Sequence, residues 1–173
     1  MHQPAEPGAI APTGGHALFG DLDPRFAAAP RRPLAVLCLE LDGIKSLTWA
    51  SDLAGGEDLL SIVGARLSGA LANEGTLDTL DDGTFACLLT GLPDRERLCL
   101  VAWRLLDAAA APVTLGKIRF ALRPWIGMAI RHTDGATYAE LFRNATAAMH
   151  RARHQKSGCA FFDESADVWD HDD

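Results

Sequence analysis

The sequence predicts an α+β domain in which helices pack on the faces of a β-sheet. First, Leu34–Leu41 is a nearly continuous apolar run bounded by Pro and Gly, which is typical of a strand buried on both faces. Second, apolar residues recur at helical spacing in three later segments. Third, paired short apolar runs flank Asp-Gly and Gly-Lys turns, which predicts two hairpins. Mixed strands and helices of this kind form a sheet covered by helices.

The element boundaries follow from turn and capping residues. Pro93-Asp94 opens the second long helix, Pro112 ends it, and Thr137 is placed to cap the last one. The predicted elements are a short helix within 16–28 broken by Pro24, strand 34–41, helix 57–71, a hairpin of runs 77–80 and 85–89, a helix from 94, a hairpin of 113–115 and 118–122, strand 125–130, a helix from 137 to about 155, and strand 159–162.

Length and charge limit the classes of function. The 173 residues suit one domain, with a flexible Pro- and Gly-rich lead-in over 1–15 and a solvated, mobile acidic tail over 164–173. The net charge of −7 disfavours nucleic acid and anionic membrane as partners. No apolar run reaches the roughly 18 residues of a membrane span, and no secretion signal is visible. These features predict a cytoplasmic protein.

Asp81-Asp82-Gly83-Thr84-Phe85 is the most informative segment. It lies between two apolar runs, and Asp-Gly at such a place predicts a two-residue hairpin turn because Gly readily adopts positive φ. Glu40 and Asp42 end the first strand, and their spacing of two directs both carboxylates to one side. They could hold a metal ion, cap the next helix or meet a basic side chain.

Several motifs in order resemble those of one family. Leu39–Lys45 resembles Leu-Asp-x-Asp-x-Phe-Lys, and Leu80–Phe85 stands where Leu-Gly-Gly-Asp-Glu-Phe is expected. Trp125–Ala129 resembles Ser-Ile-Gly-Ile-Ala, and Leu141–Arg153 resembles a closing helix with a basic end. Together they resemble the GGDEF domain of diguanylate cyclases over residues 16–163. The resemblance implies a nucleotidyl-cyclase-like sheet, mixed but mostly antiparallel, with a hairpin carrying the signature loop.

The resemblance also implies that this loop is degenerate. In the family, one carboxylate from each motif holds Mg²⁺ on GTP, and Mg²⁺ prefers oxygen ligands. Glu40 occupies the first position with a longer side chain, whereas Gly83 occupies the second and offers no ligand. Thr84 replaces the neighbouring Glu. Asp81 and Asp82 replace the paired glycines and add negative charge where a triphosphate would approach, unless one of them serves as a substitute ligand.

Base and phosphate recognition are altered as well. The family's guanine-binding Asn falls on Thr48 and its Asp partner on Glu57, while Lys45 matches the lysine of the first motif. Arg153 replaces the closing-helix lysine that meets phosphate, which keeps the charge but changes the geometry. The Arg-x-x-Asp of the inhibitory site corresponds to Ala72 and Gly75, so that site is expected to be absent.

These positions predict a catalytically inactive GGDEF domain that regulates or binds another protein in bacterial cyclic di-GMP signalling. One alternative is a domain that senses GTP without turnover, through Lys45, Arg153, Glu40 and Glu57. A second is an active diguanylate cyclase. The inactive domain needs no cofactor, and only the alternatives require Mg-GTP. We expect a monomer or weak homodimer, a signalling protein as partner, and Trp49 as a possible partner contact.

Two remaining groups carry less specific predictions. His150 and His154 are four residues apart on the last helix, but with no third ligand evident we interpret them as a solvated pair. The same helix is basic, which is typical of a solvated face and could alternatively bind an acidic partner. Four cysteines are present without a Cys-x-x-Cys pair, namely Cys38, Cys87, Cys99 and Cys159, and the first three lie inside apolar runs. They are interpreted as buried free thiols that behave as small apolar residues, with a zinc site or a disulfide as the alternatives.

Overall fold

The computed structural model describes residues 33–44, 54–81, 83–91 and 94–167, without the side chains of 54–58 and 81. Predictions for 1–32, Lys45, Thr48, Trp49, Asp82 and 168–173 lie outside these residues, as do those for the side chains of Glu57 and Asp81. In chain order the elements are β1 Leu34–Asp42, α1 Ala54–Leu71, β2 Gly75–Asp81, β3 Thr84–Thr90, α2 Arg95–Ala110, β4 Val113–Leu115, β5 Ile118–Phe120, β6 Arg123–Ile130, α3 Tyr138–Gln155 and β7 Cys159–Phe161.

The five-stranded sheet has the order β2-β3-β1-β6-β7. Strand β1 pairs antiparallel with β3 and β6, β2 pairs antiparallel with β3, and β7 alone runs parallel, to β6. Strands β4 and β5 form a separate hairpin. The predicted α+β class, with a mixed but mostly antiparallel sheet, is therefore confirmed, and β1 is central because its apolar run suits burial on both faces.

Each face of the sheet has its own core. Alternate residues of β1 from Ala35 to Leu41 pack with α1 and α2, whereas Leu34, Val36 and Cys38 face α3. This division follows from the two-residue period of a strand. Because Glu40 and Asp42 continue the second set, both lie on the α3 side of the sheet, where the chain leaves β1.

Capping residues fix the starts of α2 and α3 as predicted. Asp94 accepts a hydrogen bond of 2.8 Å from Arg97 N, and Thr137 and Glu140 form a capping box at α3. The carboxylate of Glu140 accepts backbone N–H groups, and these hydrogen bonds lower its pKa. None of the helices in the described ranges is apolar and long enough to cross a membrane.

Helix α3 lies unusually close to β6 at Gly127. A Cβ atom at this position would overlap the Ala145 carbonyl oxygen and Met149 N, and it would lie 2.9 Å from Met149 Cα. Only glycine lets the backbones of helix and strand approach this closely. The contact fixes how α3 lies across the sheet and, with it, where the last turn of the helix ends.

The outer edge of β7 is closed by side chains. Arg151 Nη2 donates to Phe161 O at 2.5 Å, and Arg151 Nε lies 2.6 Å from Asp167 Oδ1. The side chain of Asp167 is only 1% exposed. The prediction of a solvated tail from residue 164 is therefore wrong for Asp167, and the prediction of a wholly solvated basic face on α3 is wrong for Arg151. Composition identified the charges but not their mutual pairing.

Burial of the thiols agrees with the prediction for two cysteines and corrects it for two. All four are free, Cys38 and Cys87 are buried, and Cys99 and Cys159 are half-buried. Burial raises the pKa of Cys38 to about 12, although its hydrogen bond to Thr146 opposes the shift. Its thiol is therefore protonated at neutral pH and is no nucleophile.

Candidate functional site

The candidate site lies where β1 ends, beneath the last turn of α3. Arg153 Nη1 is 2.8 Å from Glu40 Oε1 and 3.5 Å from Asp42 Oδ1. The two carboxylates lie on one face because they are two residues apart in a strand, as predicted. The guanidinium reaches both because the Gly127 contact brings α3 down onto the sheet. The positive charge that contacts both carboxylates is therefore the Arg153 guanidinium.

Trp125 holds the second carboxylate from the neighbouring strand. Its Nε1 donates a hydrogen bond of 2.7 Å to Asp42 Oδ2. Strand β6 places it there, since Trp125 pairs with Glu40 and Arg123 pairs with Asp42 in the sheet register. One oxygen of Asp42 therefore meets the indole and the other meets Arg153, so the orientation of the carboxylate is fixed.

The hairpin turn contributes a backbone hydrogen bond next to this site, but Gly83 has no side chain that could bind a ligand. Asp81 pairs with Thr84 across the turn, as expected for two intervening residues, and Gly83 has φ +97°. Gly83 O accepts a hydrogen bond of 2.9 Å from Leu41 N. A Cβ at Gly83 would lie 3.4 Å from the Ile44 side chain. This is an ordinary van der Waals distance, so the obstacle to a side chain here is the positive φ rather than a lack of space.

The described residues, Glu40, Asp42 and Gly83, do not fit the magnesium ion that the resemblance implies. Glu40 and Asp42 are bonded to Arg153, and the facing position, Gly83, has no oxygen on a side chain. A divalent cation would have to displace the guanidinium and overcome its positive charge. Among the residues with a described environment, no group of three His, Cys, Asp or Glu could hold a metal. His150 and His154 are exposed, as predicted.

Several contacts of this site were not predicted. Sequence reasoning placed Glu40 and Asp42 on one side of the strand but did not connect them with Arg153, and it left open whether the carboxylates meet a metal, a helix or a basic side chain. The structure brings them together as an ion-paired cluster. Trp125 was noted only as part of a motif. Its large donor-bearing ring at a position where the family has Ser was the signal that could have revealed its role.

Replacing Trp125 by Phe tests the indole hydrogen bond. We expect the free energy of unfolding to fall by about 1 kcal/mol, because the indole donor is lost, a smaller aromatic ring remains, and the 38% exposed Asp42 side chain regains water. Urea denaturation followed by circular dichroism measures the change. Trp103→Phe is the control, since that side chain is half exposed, and a loss as large in the control would contradict the assignment.

Comparison with known proteins identifies the family. Residues 16–159 match the family model described as "Diguanylate cyclase, GGDEF domain". The chain belongs to the GGDEF family. This GGDEF domain is 30% identical over 135 residues to MucR of Pseudomonas aeruginosa, a bifunctional diguanylate cyclase/cyclic di-GMP phosphodiesterase, and the match covers 78% of this chain and 20% of MucR. The chain spans between 15% and 23% of the length of its curated relatives.

Solved structures agree with the fold of this GGDEF domain. An EAL/GGDEF domain protein from M. capsulatus is 30% identical with a TM-score of 0.72, covering 77% of this chain and 86% of that chain. Diguanylate cyclase SiaD from P. aeruginosa, solved with its activator SiaC, is 19% identical with a TM-score of 0.68, covering 78% of this chain and 53% of that one. Given the family model and the match to MucR, the domain belongs to a family of cyclic di-GMP signalling.

Proposed function

We propose that this GGDEF domain is catalytically inactive and acts as a regulatory, protein-binding module in cyclic di-GMP signalling. One observation carries the proposal: Arg153 lies between the carboxylates of Glu40 and Asp42, at 2.8 and 3.5 Å. In the family these positions serve metal and phosphate. Here the arginine offsets one of the two negative charges, and its own positive charge is engaged by the carboxylates rather than open to a phosphate.

The hairpin supports the same proposal. Metal-assisted phosphoryl chemistry needs a cation held against the phosphate oxygens. Gly83 gives no side-chain ligand, and its positive φ opposes the introduction of one. By contrast, Phe85 is fully buried, so the residue that anchors the hairpin to the core is kept. A domain that acts through its surface needs its folded core but does not need the metal ligand of the signature loop.

Incubation of the purified protein with Mg²⁺ and GTP tests the proposal. We expect no cyclic di-GMP by liquid chromatography and mass spectrometry, under conditions in which an active GGDEF domain gives a clear signal. Synthesis of cyclic di-GMP by this protein that is abolished by Glu40→Ala would overturn the proposal. The Glu40→Ala control separates activity of this chain from activity of a contaminating cyclase.

A GTP-sensing role is distinguished by calorimetry. The side chain of Arg153 is 40% exposed, so its outer edge is open to solvent although its Nη1 is engaged. We expect no micromolar binding of Mg-GTP. Micromolar binding that weakens in Arg153→Gln would favour the nucleotide sensor over a module that acts only through protein contacts.

A protein partner is consistent with what is known of a relative. SiaD has been solved in complex with its activator SiaC, so a member with this fold forms a complex with a regulatory protein. We propose that this domain likewise acts by contact with another signalling protein. Fold alone does not identify that partner, so its chemistry has to come from the surface of this chain.

A further inference from the structure

Two half-buried cysteines lie where helix α2 packs beside strand β7. Cys99 is on α2, Cys159 is the first residue of β7, and both are free thiols. Cys159 and Phe161 are two residues apart in the strand, and both pack against the core that lies on the side of α1 and α2. The side chain of Cys159 is therefore on the face of the sheet that α2 covers.

Contacts on both sides of these two cysteines show how α2 and β7 run past each other. The guanidinium carbon of Arg95 lies 4.0 Å from the centre of the Phe161 ring. At the other end, Gly158 lies so close to Trp103 that a Cβ atom on the glycine would be 3.3 Å from the indole ring. The chain direction of β7 is therefore opposite to that of α2, and the two cysteines lie between these contacts.

The spacing of residues in the two elements places the cysteines level with each other. Cys99 follows Arg95 by four residues, which is about 6 Å along a helix. Cys159 precedes Phe161 by two residues, which is about 6.6 Å along a strand. Since Arg95 contacts Phe161, the two thiols lie at a similar distance from that contact. Burial raises the pKa of the Cys159 thiol, and the charge of Cys99 raises it further, as expected for neighbouring thiols.

We propose that Cys99 and Cys159 form a reversible disulfide that links α2 to β7. A disulfide requires the two Cα atoms to come within about 7 Å. Any movement that this requires falls on β7, which has three residues and lies at the edge of the sheet. Only three residues separate α3 from β7, so the bond would also restrain the end of the helix that carries Arg153. The proposal does not depend on whether the domain is catalytically inactive.

Hydrogen peroxide is the oxidant in this proposal, and each step balances. One thiol of the pair attacks a peroxide oxygen as its thiolate, the O–O bond breaks, and a sulfenic acid forms while the other oxygen leaves with the thiol proton as water. The second thiol attacks the sulfenic sulfur, so that the S–S bond forms, the S–O bond breaks and a second water leaves. The two thiols lose two electrons, which the peroxide gains. Cys159 lines an open cavity of about 630 Å³, which admits so small an oxidant.

A zinc site between the two thiols is disfavoured. Structural zinc takes four ligands. Within the part of the chain that the structure describes, no group of three His, Cys, Asp or Glu side chains could hold a metal. The other two cysteines, Cys38 and Cys87, are buried in β1 and β3 and serve as controls within the same molecule.

Oxidation of the purified full chain with hydrogen peroxide tests the proposal. After unfolding in iodoacetamide, trypsin leaves the four cysteines on four different peptides, so mass spectrometry identifies any linked pair. We expect a linkage between peptides 98–104 and 157–173 that dithiothreitol removes, with Cys38 and Cys87 alkylated. The oxidised chain should remain a monomer in a non-reducing gel, and its midpoint of thermal unfolding should rise by roughly 5 °C or more.

Cys99→Ser and Cys159→Ser are matched variants, because each removes one thiol and keeps a side chain of similar size. Each should abolish the linkage and the rise in unfolding temperature, and circular dichroism checks that each is folded. The proposal is overturned if both thiols of the wild type stay alkylated or oxidise separately to sulfinic acids. A linkage found only between two molecules, or one no more frequent in the native chain than in concentrated urea, would overturn it as well.

Discussion

Gly127→Ala is expected to lower the free energy of unfolding by about 3 kcal/mol or more, which is at the upper end for a substitution that overfills a core. The added methyl group would overlap backbone atoms of Ala145 and Met149, and the strand and the helix would have to move apart. Both Ala145 and Met149 are buried, so such movement also loosens the core on this face. Urea denaturation followed by circular dichroism measures the loss.

Gly69→Ala is the matched control for this prediction. Gly69 lies in α1, and a Cβ there would meet nothing within 4 Å. Alanine is the better helix former, so the free energy of unfolding of the control should rise by about 0.5–1 kcal/mol. If the free energy of unfolding of Gly127→Ala lies within about 1 kcal/mol of the wild-type value, α3 and β6 are not in the close contact described.

Asp167→Ala is expected to lower the free energy of unfolding by about 3 kcal/mol, because it leaves a partly buried guanidinium without its carboxylate. Asp167 accepts hydrogen bonds from Arg151 Nε and Nη2 at 2.6 and 3.1 Å and from Asp163 N at 2.9 Å. Arg151 is 22% exposed and keeps its bond to Phe161 O, which places the loss at the lower end for a broken buried pair.

Glu74→Gln is the control for the effect of burial. Glu74 also pairs with arginines, but these are 49% and 47% exposed, so water replaces much of what is lost. The free energy of unfolding of Glu74→Gln should therefore stay within about 1 kcal/mol of the wild-type value. Chemical denaturation of both variants at neutral pH measures the contrast. Equal losses in the two variants would show that Asp167 is not held in a buried pair.

Local sequence patterns predicted most of the fold. The apolar run of β1, the caps of α2 and α3 and the Asp-Gly turn depend on residues near each other in the chain. The shared orientation of Glu40 and Asp42 is local as well, since it follows from strand alternation. The cluster at the site is different. Glu40 and Arg153 are 113 positions apart, and Asp42 and Trp125 are 83 apart. Their contact depends on how closely α3 approaches the sheet.

Surface features were predicted least well. The acidic composition after residue 163 indicated a solvated segment, yet Asp167 is buried because one arginine of α3 lies within reach. The helical pattern of α2 identified its core-facing residues but did not show that Leu100 and Trp103 are exposed. In a helix with apolar residues on several sides, spacing alone does not show which ones the sheet covers.

The closed edge of β7 restricts how the protein can assemble. Gly158 O and Phe162 N bond to β6, so Cys159 and Phe161 direct their carbonyl groups outward. Ser157 Oγ and Arg151 Nη2 already donate to these two oxygens. A strand from another molecule would have to compete with these side-chain donors for both acceptors. Edge-to-edge pairing through β7 is thereby disfavoured.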